Sequence, residues 1–187
     1  MAKDSFIGGY FKHFGQVAFD PAIEPMLLNA AGLLKAVQRR GRKVVFVGNG
    51  ASATIASHCA LDFTKQAGIR SICFNDAALL TAYGNDYGYE WWVEQALRHY
   101  ADPDDLVVLL SSSGKSKNIL HAAQYARKRR LKVITLSGFA PDNPLRALGH
   151  VNLWADSRAY NVVETAHMLW LVALCDLVIG TREYSVR

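Results

Sequence analysis

The sequence predicts an α/β fold in which a five-stranded parallel sheet is covered by helices on both faces. Two observations carry this prediction. Short runs of β-branched and other apolar residues alternate with longer stretches of helical periodicity, which is the pattern of a doubly wound parallel sheet. The 187 residues are also 51% apolar, which is enough for one domain with a full core. We therefore expect a single domain that spans residues 1–187.

Two predicted helices precede the first strand. Asp4 is placed to cap the first helix, and Asp20–Pro21 begins the second with a capping aspartate followed by proline. Both helices carry an apolar stripe at helical spacing. Because they are not crossovers between strands, the segment 1–40 needs another surface to pack against. We expect this N-terminal helical segment to serve in oligomerisation.

From residue 44 onward, strands and helices alternate. The predicted strands are 44–47, 71–74, 106–110, 132–136 and 151–154. The predicted helices are 52–66, 77–83, 90–100 and 116–129, followed by a long C-terminal helix at 159–179. The stretch 138–149 has the composition of an ordinary surface loop. In a sheet of this kind, ligands bind at the carboxyl ends of the strands.

Composition and charge argue against several classes of protein. The net charge of +5 does not indicate a nucleic-acid partner, because the cations cluster where helices are predicted to end, which the helix dipole favours, and no nucleic-acid motif accompanies them. No uninterrupted apolar run reaches the roughly 18 residues of a membrane span, and the first residues lack the apolar core of a secretory signal. The three cysteines are isolated in apolar stretches, and we expect buried thiols. These features predict a cytoplasmic protein without a membrane segment.

The first candidate site is the glycine turn after the first strand. Gly48, Asn49 and Gly50 end that strand, and Ser52 is predicted to cap the helix that follows. A strand, a tight turn and a helix N-terminus together favour an anion, most often a phosphate. The turn also fits the relaxed dinucleotide fingerprint G-x-G-x-x-A. The acidic residue that this fingerprint requires comes late, at Asp76, so we expect no nucleotide cofactor.

The second candidate site is the hydroxyl-rich loop SSSGKS at residues 111–116, which follows the third strand. Its hydroxyls belong to Ser111, Ser112, Ser113 and Ser116. The loop is not a nucleotide-binding P-loop, because the glycine required five residues before Gly114 is Leu109. Serine hydroxyls and backbone N–H groups at a helix N-terminus can hold a phosphate without a metal. We expect this loop and the glycine turn to bind a phosphate together.

The turn GNGxS, the loop SSSGKS and the segment TAYGNDYGYE at residues 81–90 together resemble the sugar isomerase (SIS) domain family. Within that family, the chain is most similar to the phosphoheptose isomerases, and residues 81–90 are the most specific part of the likeness. The resemblance covers nearly the whole chain. It implies a flavodoxin-like single SIS domain and a homotetramer with active sites between subunits. The implied reaction interconverts sedoheptulose 7-phosphate and a heptose 7-phosphate, commonly with zinc.

The resemblance also implies roles for particular residues. Substrate-binding positions fall at Asn49, Gly50, Ser52, Asp86, Ser111, Ser112, Ser113, Ser116 and Asn161. His58 matches a metal ligand, and Asp62 occupies the position of the family's catalytic glutamate with one methylene fewer. The family's C-terminal glutamine and catalytic histidine fall at Glu164 and Val172. Valine cannot transfer a proton, so the site would need a substitute.

Glu164 and His167 offer such a substitute, because they lie three residues apart on the predicted last helix and both can face one site. With His58 and Asp62, which are four residues apart, they make a set of two histidines and two carboxylates that suits zinc or another divalent metal. We expect catalytic roles for Asp62, Glu164 and His167. The base would be Asp62 or Glu164, and the acid would be His167 or His58.

Two functions stay open at this point. The first is an aldose–ketose isomerase that acts on a heptose phosphate. The second is a non-catalytic phosphosugar-binding SIS protein with a regulatory or protein-interaction role. Val172 favours the second function, and so does a likeness of the last helix to the replication initiator-associating protein, a relative that also lacks the C-terminal catalytic histidine.

Overall fold

Five parallel strands form one sheet in the order β2-β1-β3-β4-β5 in a computed structural model, which describes residues 5–183. The strands are β1 (Val44–Val47), β2 (Ser71–Cys73), β3 (Leu106–Ser111), β4 (Lys132–Ser137) and β5 (Val151–Trp154). The predicted five-stranded, doubly wound parallel sheet is therefore confirmed. Because β2 and β3 lie on opposite sides of β1, the loops after β1 and β3 diverge, and a crevice opens between them at the carboxyl edge.

Seven α-helices and one short 3-10 helix surround the sheet in the described part of the chain. They are α1 (Phe6–Ala18), the 3-10 turn (Pro21–Ile23), α2 (Glu24–Arg39), α3 (Ala51–Lys65), α4 (Ala77–Tyr87), α5 (Trp92–Tyr100), α6 (Lys117–Lys128) and α7 (Tyr160–Ile179). Successive strand residues point to opposite faces. Phe46 and Val108 pack in a core with α2, α3 and α7, whereas Val47 and Val107 pack in a second core with α5 and α6.

The ends of the first helices are capped partly as predicted. The predicted cap Asp4 lies outside the described residues, and Ser5 accepts a hydrogen bond from the Gly8 N–H at 3.1 Å at the start of α1. Asp20 caps the 3-10 turn through the Ala22 N–H at 2.9 Å, as expected. Asp76, the late acidic residue of the dinucleotide fingerprint, caps α4 through the Leu79 N–H.

The segment 138–149 is not the ordinary surface loop that its composition predicts. Asn143 and Leu145 are buried, and Leu145 joins the core beside α5 and α6. Its buried residues hold the SSSGKS loop from behind, because the Leu145 N–H donates to the carbonyl oxygen of Gly114 at 3.2 Å. The sequence pattern missed this role because Asn143 and Leu145 contact residues some thirty positions earlier in the chain.

The long helix α7 is the central helix of one core. It packs against α1, α2 and α3, and Trp170, Leu171 and Leu174 are buried there. By length and composition alone, α7 and the stretch 6–39 are apolar enough to cross a membrane. The stretch 6–39 is divided into helices of 13 and 16 residues, each shorter than the roughly 20 residues of a span. Half of the most apolar 18-residue stretch of α7 is buried inside the domain.

Candidate active site

A small cavity of about 140 Å³ lies where the loops after β1 and β3 meet the first turn of α7. Its lining comprises Asn49, Ser52, Leu110, Ser111, Ser112, Ser113, Ser116, Tyr160 and Glu164. The structure thus brings the glycine turn and the serine loop into one site at the carboxyl edge of the sheet. Two larger grooves contain no residue of these motifs. One, of about 620 Å³, lies against α2 and α7, and the other, of about 640 Å³, lies between α1 and β5.

The glycine turn allows α3 to begin directly at the cavity. A side chain at position 48 would approach the backbone of Ser52 to 2.6 Å, so only glycine fits there. Gly50 precedes the helix with a φ of +56°, which favours glycine. The prediction that Ser52 caps α3 is wrong, because Gly50 occupies the N-cap position and Ser52 lies inside the first turn. Ser52 instead contributes a hydroxyl group to the cavity wall beside the free N–H groups of the helix.

The serine loop places several hydroxyl groups around the same space. Ser111 Oγ and Ser116 Oγ lie 3.0 Å apart, and Ser113 Oγ accepts from the Lys115 N–H at 3.2 Å. Ser116 is the N-cap residue of α6, but its hydroxyl forms no capping hydrogen bond within the described chain. The first N–H groups of α6 have no partner in the helix itself. This arrangement of hydroxyl and N–H donors suits an anionic oxygen group.

Asn143 supports the serine loop from behind. Its Nδ2 donates to Ser137 Oγ at 3.1 Å and to the Gly138 and Ala140 carbonyl oxygens, and its Oδ1 accepts from the Arg146 N–H. The side chain lies so close to Gly114 that a Cβ atom there would overlap it. Gly114 also has a φ of +65°. Nothing in the local sequence pattern around Asn143 indicates this contact with the serine loop.

A pair of asparagine side chains joins the glycine turn to the start of α6. Asn49 Nδ2 donates to Asn118 Oδ1 at 3.0 Å, and Asn118 Nδ2 donates to Asn49 Oδ1 at 2.9 Å. Tyr89, from the connection between α4 and α5, donates its hydroxyl to Asn49 Oδ1 at 3.1 Å. Asn118, Tyr89 and the cavity residue Tyr160 are contributions that the sequence analysis missed. Only Tyr89 carried a signal, since it lies in the segment most specific to the resembled family.

Glu164 is the one carboxylate among the described residues that lines the cavity. It lies in the second turn of α7, and its Oε1 accepts from Ser112 Oγ at 3.3 Å. This contact places the carboxylate directly beside the serine loop. A carboxylate at this position can accept a proton from a sugar whose phosphate group is held by the serines.

His167 does not reach the cavity, and the prediction that it acts as an acid or a metal ligand there is wrong. Its side chain is fully buried, and its Nε2 donates to the Ser137 carbonyl oxygen at 3.0 Å. No described residue bonds its Nδ1. Burial lowers the pKa of His167 to about 4, so the ring is neutral at pH 7. A three-residue step turns the side chain by about 60° around the helix, enough to direct Glu164 into the cavity and His167 into the core.

His58 and Asp62 form a pair with each other and do not line the cavity. His58 Nε2 and Asp62 Oδ2 are 3.0 Å apart, and the side chains are 46% and 27% exposed on the outer face of α3. Burial first and the charge of Asp62 second raise the pKa of the Cys175 thiol to about 12. Asp62 therefore lies near Cys175. On α7, Cys175 is eleven residues, or about 16 Å of helix, beyond Glu164.

The predicted four-ligand metal set does not form within one chain. Residues 5–183 contain no group of three or more histidine, cysteine, aspartate or glutamate side chains arranged to hold a metal ion. Glu164 faces the cavity, His167 faces the core, and His58 and Asp62 face outward. A single chain can therefore supply two adjacent ligands at most from this set, His58 and Asp62.

Two predicted substrate contacts also lie outside the cavity of a single chain. Asp86 is exposed near the end of α4 and accepts a hydrogen bond from Asn85 Nδ2 at 3.0 Å. Asn161 is exposed in the first turn of α7. Gly50 is exposed beside the cavity and shapes the turn without lining it. Of the predicted substrate-binding residues, the structure thus gathers Asn49, Ser52 and the serine loop around one cavity.

Comparison with known proteins connects this geometry to a family. The SIS domain family matches residues 18–138. Phosphoheptose isomerase from Helicobacter hepaticus is 34% identical over 83% of this chain and 82% of its own length. The enzyme of the same name from Syntrophotalea carbinolica is 36% identical over 78% and 77%. The structure of phosphoheptose isomerase from Neisseria gonorrhoeae superimposes with a TM-score of 0.85 at 26% identity, over 92% of this chain and 97% of that one. The chain therefore belongs to the SIS domain family, and these three relatives are phosphoheptose isomerases.

Proposed function

We propose that this protein is a phosphosugar isomerase of the sedoheptulose 7-phosphate type, acting in the cytoplasm. The observation that carries the proposal is the contact between Ser112 and Glu164, which places a carboxylate 3.3 Å from the phosphate-binding serine loop. A sugar phosphate bound in that loop would share the cavity with the Glu164 carboxylate. The family membership supports the same substrate class.

Among the described residues, no cationic side chain lines the cavity, so hydroxyl and backbone N–H groups would bind the phosphate group. Hydroxyl groups of Ser52, Ser111, Ser113 and Ser116 surround the space, and the N-termini of α3 and α6 point toward it. Helix N-termini carry a partial positive charge of roughly half an elementary charge, which favours an anion. Lys117, at the start of α6, is held by Glu90 at 2.6 Å and does not line the cavity.

Glu164 would perform the proton transfer between the two carbons. In the aldose-to-ketose direction, the carboxylate removes the proton from C2, the C–H electron pair forms the C1–C2 double bond, and the carbonyl electron pair moves to the C1 oxygen, which takes up a proton from water. The resulting enediol then gives the proton of its C2 hydroxyl group to water, the C2 carbonyl forms, and C1 takes up the proton from Glu164. The family's base position is Asp62, which faces away from this cavity, so Glu164 is the base that a single chain can supply.

We further propose that the functional form is a homo-oligomer, a tetramer on the family precedent, with sites between subunits. Exposed apolar side chains on α1 and α2 and the exposed His58–Asp62 pair on α3 support this proposal. In such an assembly, His58 and Asp62 of one copy could meet Glu164 of another. A third zinc ligand would become available only in that arrangement, so zinc binding is proposed as a property of the oligomer.

A specific observation favours the second candidate, a phosphosugar-binding protein without catalysis. On the resemblance to phosphoheptose isomerases, Val172 stands where that family has its catalytic histidine, and the substitute His167 is buried in the core. The serine loop proposed to bind the phosphate is assembled, whereas no histidine is among the described residues that line the cavity. A protein of this kind would bind the sugar phosphate and leave it unchanged.

An isomerisation assay with sedoheptulose 7-phosphate, combined with calorimetric binding, tests both candidates. We expect the wild-type protein to convert the substrate and Glu164→Gln to lower kcat by at least about 100-fold, with binding retained within about tenfold. Glu94→Gln is the matched control, because Glu94 pairs with Arg98 on α5 and should leave the rate unchanged.

The outcomes separate the proposals. Binding without conversion by the wild-type protein would establish the second candidate and overturn the first. Full activity of Glu164→Gln would show that the base is another residue. Equal affinity for sedoheptulose 7-phosphate and sedoheptulose would contradict the assignment of the serine loop to the phosphate.

A further inference from the structure

We propose that Tyr89 is a positioning residue of this site. Its hydroxyl group holds the Asn49 amide in the orientation that leaves one N–H bond of Asn49 free to donate to the bound sugar phosphate. The inference deepens the proposed function and rests on it for the identity of the ligand. Tyr89 lies in the connection between α4 and α5, outside the strand-end motifs that form the rest of the cavity.

The hydrogen bonds of Asn49 define what it can offer to a ligand. Its Oδ1 accepts from both Asn118 Nδ2 and Tyr89 Oη, which occupies both lone pairs of the carbonyl oxygen. Its Nδ2 donates one hydrogen to Asn118 Oδ1, and no described residue accepts the second. Asn49 therefore presents a single N–H donor in the cavity wall, which matches the oxygen-rich surface of a sugar phosphate.

Tyr89 is what distinguishes the two orientations of this amide. A reciprocal pair of asparagine amides keeps both hydrogen bonds when both side chains flip together, so the Asn49–Asn118 pair alone has no preferred direction. A phenol hydroxyl donates to an amide oxygen more strongly than it accepts from an amide N–H group. The Tyr89 bond thus favours the orientation in which Asn49 offers a donor and disfavours the one in which it offers an acceptor.

The connection that carries Tyr89 is tied to the same helix as Asn118. Glu90 Oε1 accepts from Lys117 Nζ at 2.6 Å, and the Glu90 carbonyl oxygen bonds His121 Nδ1 at 2.9 Å. Trp91 stacks on the His121 ring at a centroid distance of 3.8 Å. These contacts hold the connection between α4 and α5 against the first two turns of α6. Tyr89 therefore reaches Asn49 from an anchored backbone although its own side chain is 55% exposed.

Calorimetry with sedoheptulose 7-phosphate tests the proposal through a double-mutant cycle. Tyr89→Phe removes only the hydroxyl group, and we expect it to weaken binding about threefold to tenfold, the value of one hydrogen bond. In an Asn49→Ala background, the same change should weaken binding less than about twofold, because its target is missing. Tyr87→Phe is the matched control, and we expect it to leave affinity unchanged.

Two results would overturn the proposal: an unchanged affinity of Tyr89→Phe, or an equal loss in both backgrounds. The second result would mean that the hydroxyl group acts independently of Asn49. A ligand-free measurement keeps this inference separate from the proposed function. In protein labelled with ¹⁵N-asparagine, Tyr89→Phe should shift or broaden the side-chain amide resonances of Asn49 and leave those of Asn75 and Asn143 in place.

Unchanged Asn49 resonances would overturn the positioning role whatever the protein binds. Shifted resonances in a protein that does not bind sedoheptulose 7-phosphate would support the positioning role and overturn the proposed function instead.

Discussion

At the scale of single residues, the fully buried His167 makes the stability of the fold depend on pH. Burial lowers its pKa from 6.5 to about 4, so between these values the unfolded chain binds a proton that the folded chain does not. Stability is then complete above about pH 6.5 and falls as the pH drops toward 4. A shift of this size corresponds to about 3 kcal/mol.

Urea unfolding of the wild-type protein and of His167→Gln, at several pH values between 7 and 4, checks this prediction. Glutamine does not titrate and retains an N–H donor for the Ser137 carbonyl oxygen. The difference in unfolding free energy between the two proteins should change by about 3 kcal/mol across the range. A difference that does not vary with pH would show that His167 is not the group responsible.

The sequence could predict which site residues follow strand ends, but not which way each side chain of a helix points. Asn49, Ser52 and the four serines follow β1 and β3 directly, and parallel strands bring their carboxyl ends to one edge. Glu164 and His167 share a face only within about 60°, and the packing of α7 against the sheet and the neighbouring helices α1, α2 and α3 directs the two side chains to different surroundings. Tyr89 and Asn143 act over long distances in sequence, which no local pattern shows.

At the scale of elements, the serine loop depends on one glycine. Gly114 has a φ of +65°, and a methyl group there would overlap Asn143. We expect Gly114→Ala to destabilise the fold by roughly 1–3 kcal/mol and to weaken binding of sedoheptulose 7-phosphate by at least about tenfold. Chemical denaturation and calorimetry measure the two effects.

Gly84→Ala is the matched control for this substitution. Gly84 lies inside α4, and a Cβ atom there would meet nothing within 4 Å. Alanine is the better helix former, so Gly84→Ala should stabilise the fold by roughly 0.5–1 kcal/mol. Equal destabilisation by both changes would mean that the left-handed conformation of Gly114 is not what the loop requires.

The start of β1 is held to the loop before β3 by a buried ion pair. Lys43 Nζ lies 2.6 Å from Asp105 Oδ2 and 2.5 Å from Asp102 Oδ2, and Lys43 and Asp105 are buried. Burial lowers the pKa of Lys43, but the hydrogen bonds and charges of Asp102 and Asp105 together outweigh it, so the pKa is raised. Lys43→Met leaves the Asp105 carboxylate without a counter-charge, and we expect a loss of roughly 2–3 kcal/mol.

Arg40→Met is the exposed counterpart of that change. Arg40 pairs with Asp104 at 3.7 Å, and both side chains are more than 60% exposed, so its removal should cost less than about 0.5 kcal/mol. Denaturant unfolding of both variants compares them directly. Similar losses would mean that burial does not determine the strength of the Lys43 pair.

The strands were predictable because buried parallel strands are continuous apolar runs, and β1 and β5 have the predicted bounds. The helix predicted at 77–83 continues to Tyr87, because Gly84 and the polar residues after it do not end the helix. It ends at Gly88, whose φ is +82°. The stretch 138–149 was misjudged because its polar composition hides two buried contacts to the serine loop and the core.

At the scale of the whole molecule, the N-terminal helices expose more apolar surface than one domain accounts for. Phe6 is 83% exposed and Phe11 65% exposed on α1, and Phe19 and Leu28 are exposed beside them. Contiguous apolar patches beyond a few hundred Å² usually mark interfaces. We expect light scattering to give a mass of about four times the 20.7 kDa of one chain, and Phe6→Glu with Phe11→Glu to reduce it to that of one chain.

Tyr100→Glu is the control for that variant, because Tyr100 is an exposed aromatic residue on α5, on the opposite face of the sheet, and we expect the oligomer to persist. A mass near 20.7 kDa for the wild-type protein at micromolar concentration would contradict the prediction.

The oligomer has a consequence for catalysis that mixing of variants can test. Asp62 and Glu164 face different surfaces of one chain, so they can serve one reaction only if they come from two copies. If the oligomer brings Asp62 of one copy to the cavity beside Glu164 of another, Asp62→Asn and Glu164→Gln should each be inactive alone. Mixed oligomers of the two variants, formed by co-expression, should regain up to about a quarter of the wild-type rate, because some of their sites combine an intact Asp62 with an intact Glu164. Full activity of Asp62→Asn alone would leave the His58–Asp62 pair outside the reaction. Activity that stays absent in the mixture of two inactive variants, while light scattering shows mixed oligomers, would contradict a site shared between two copies.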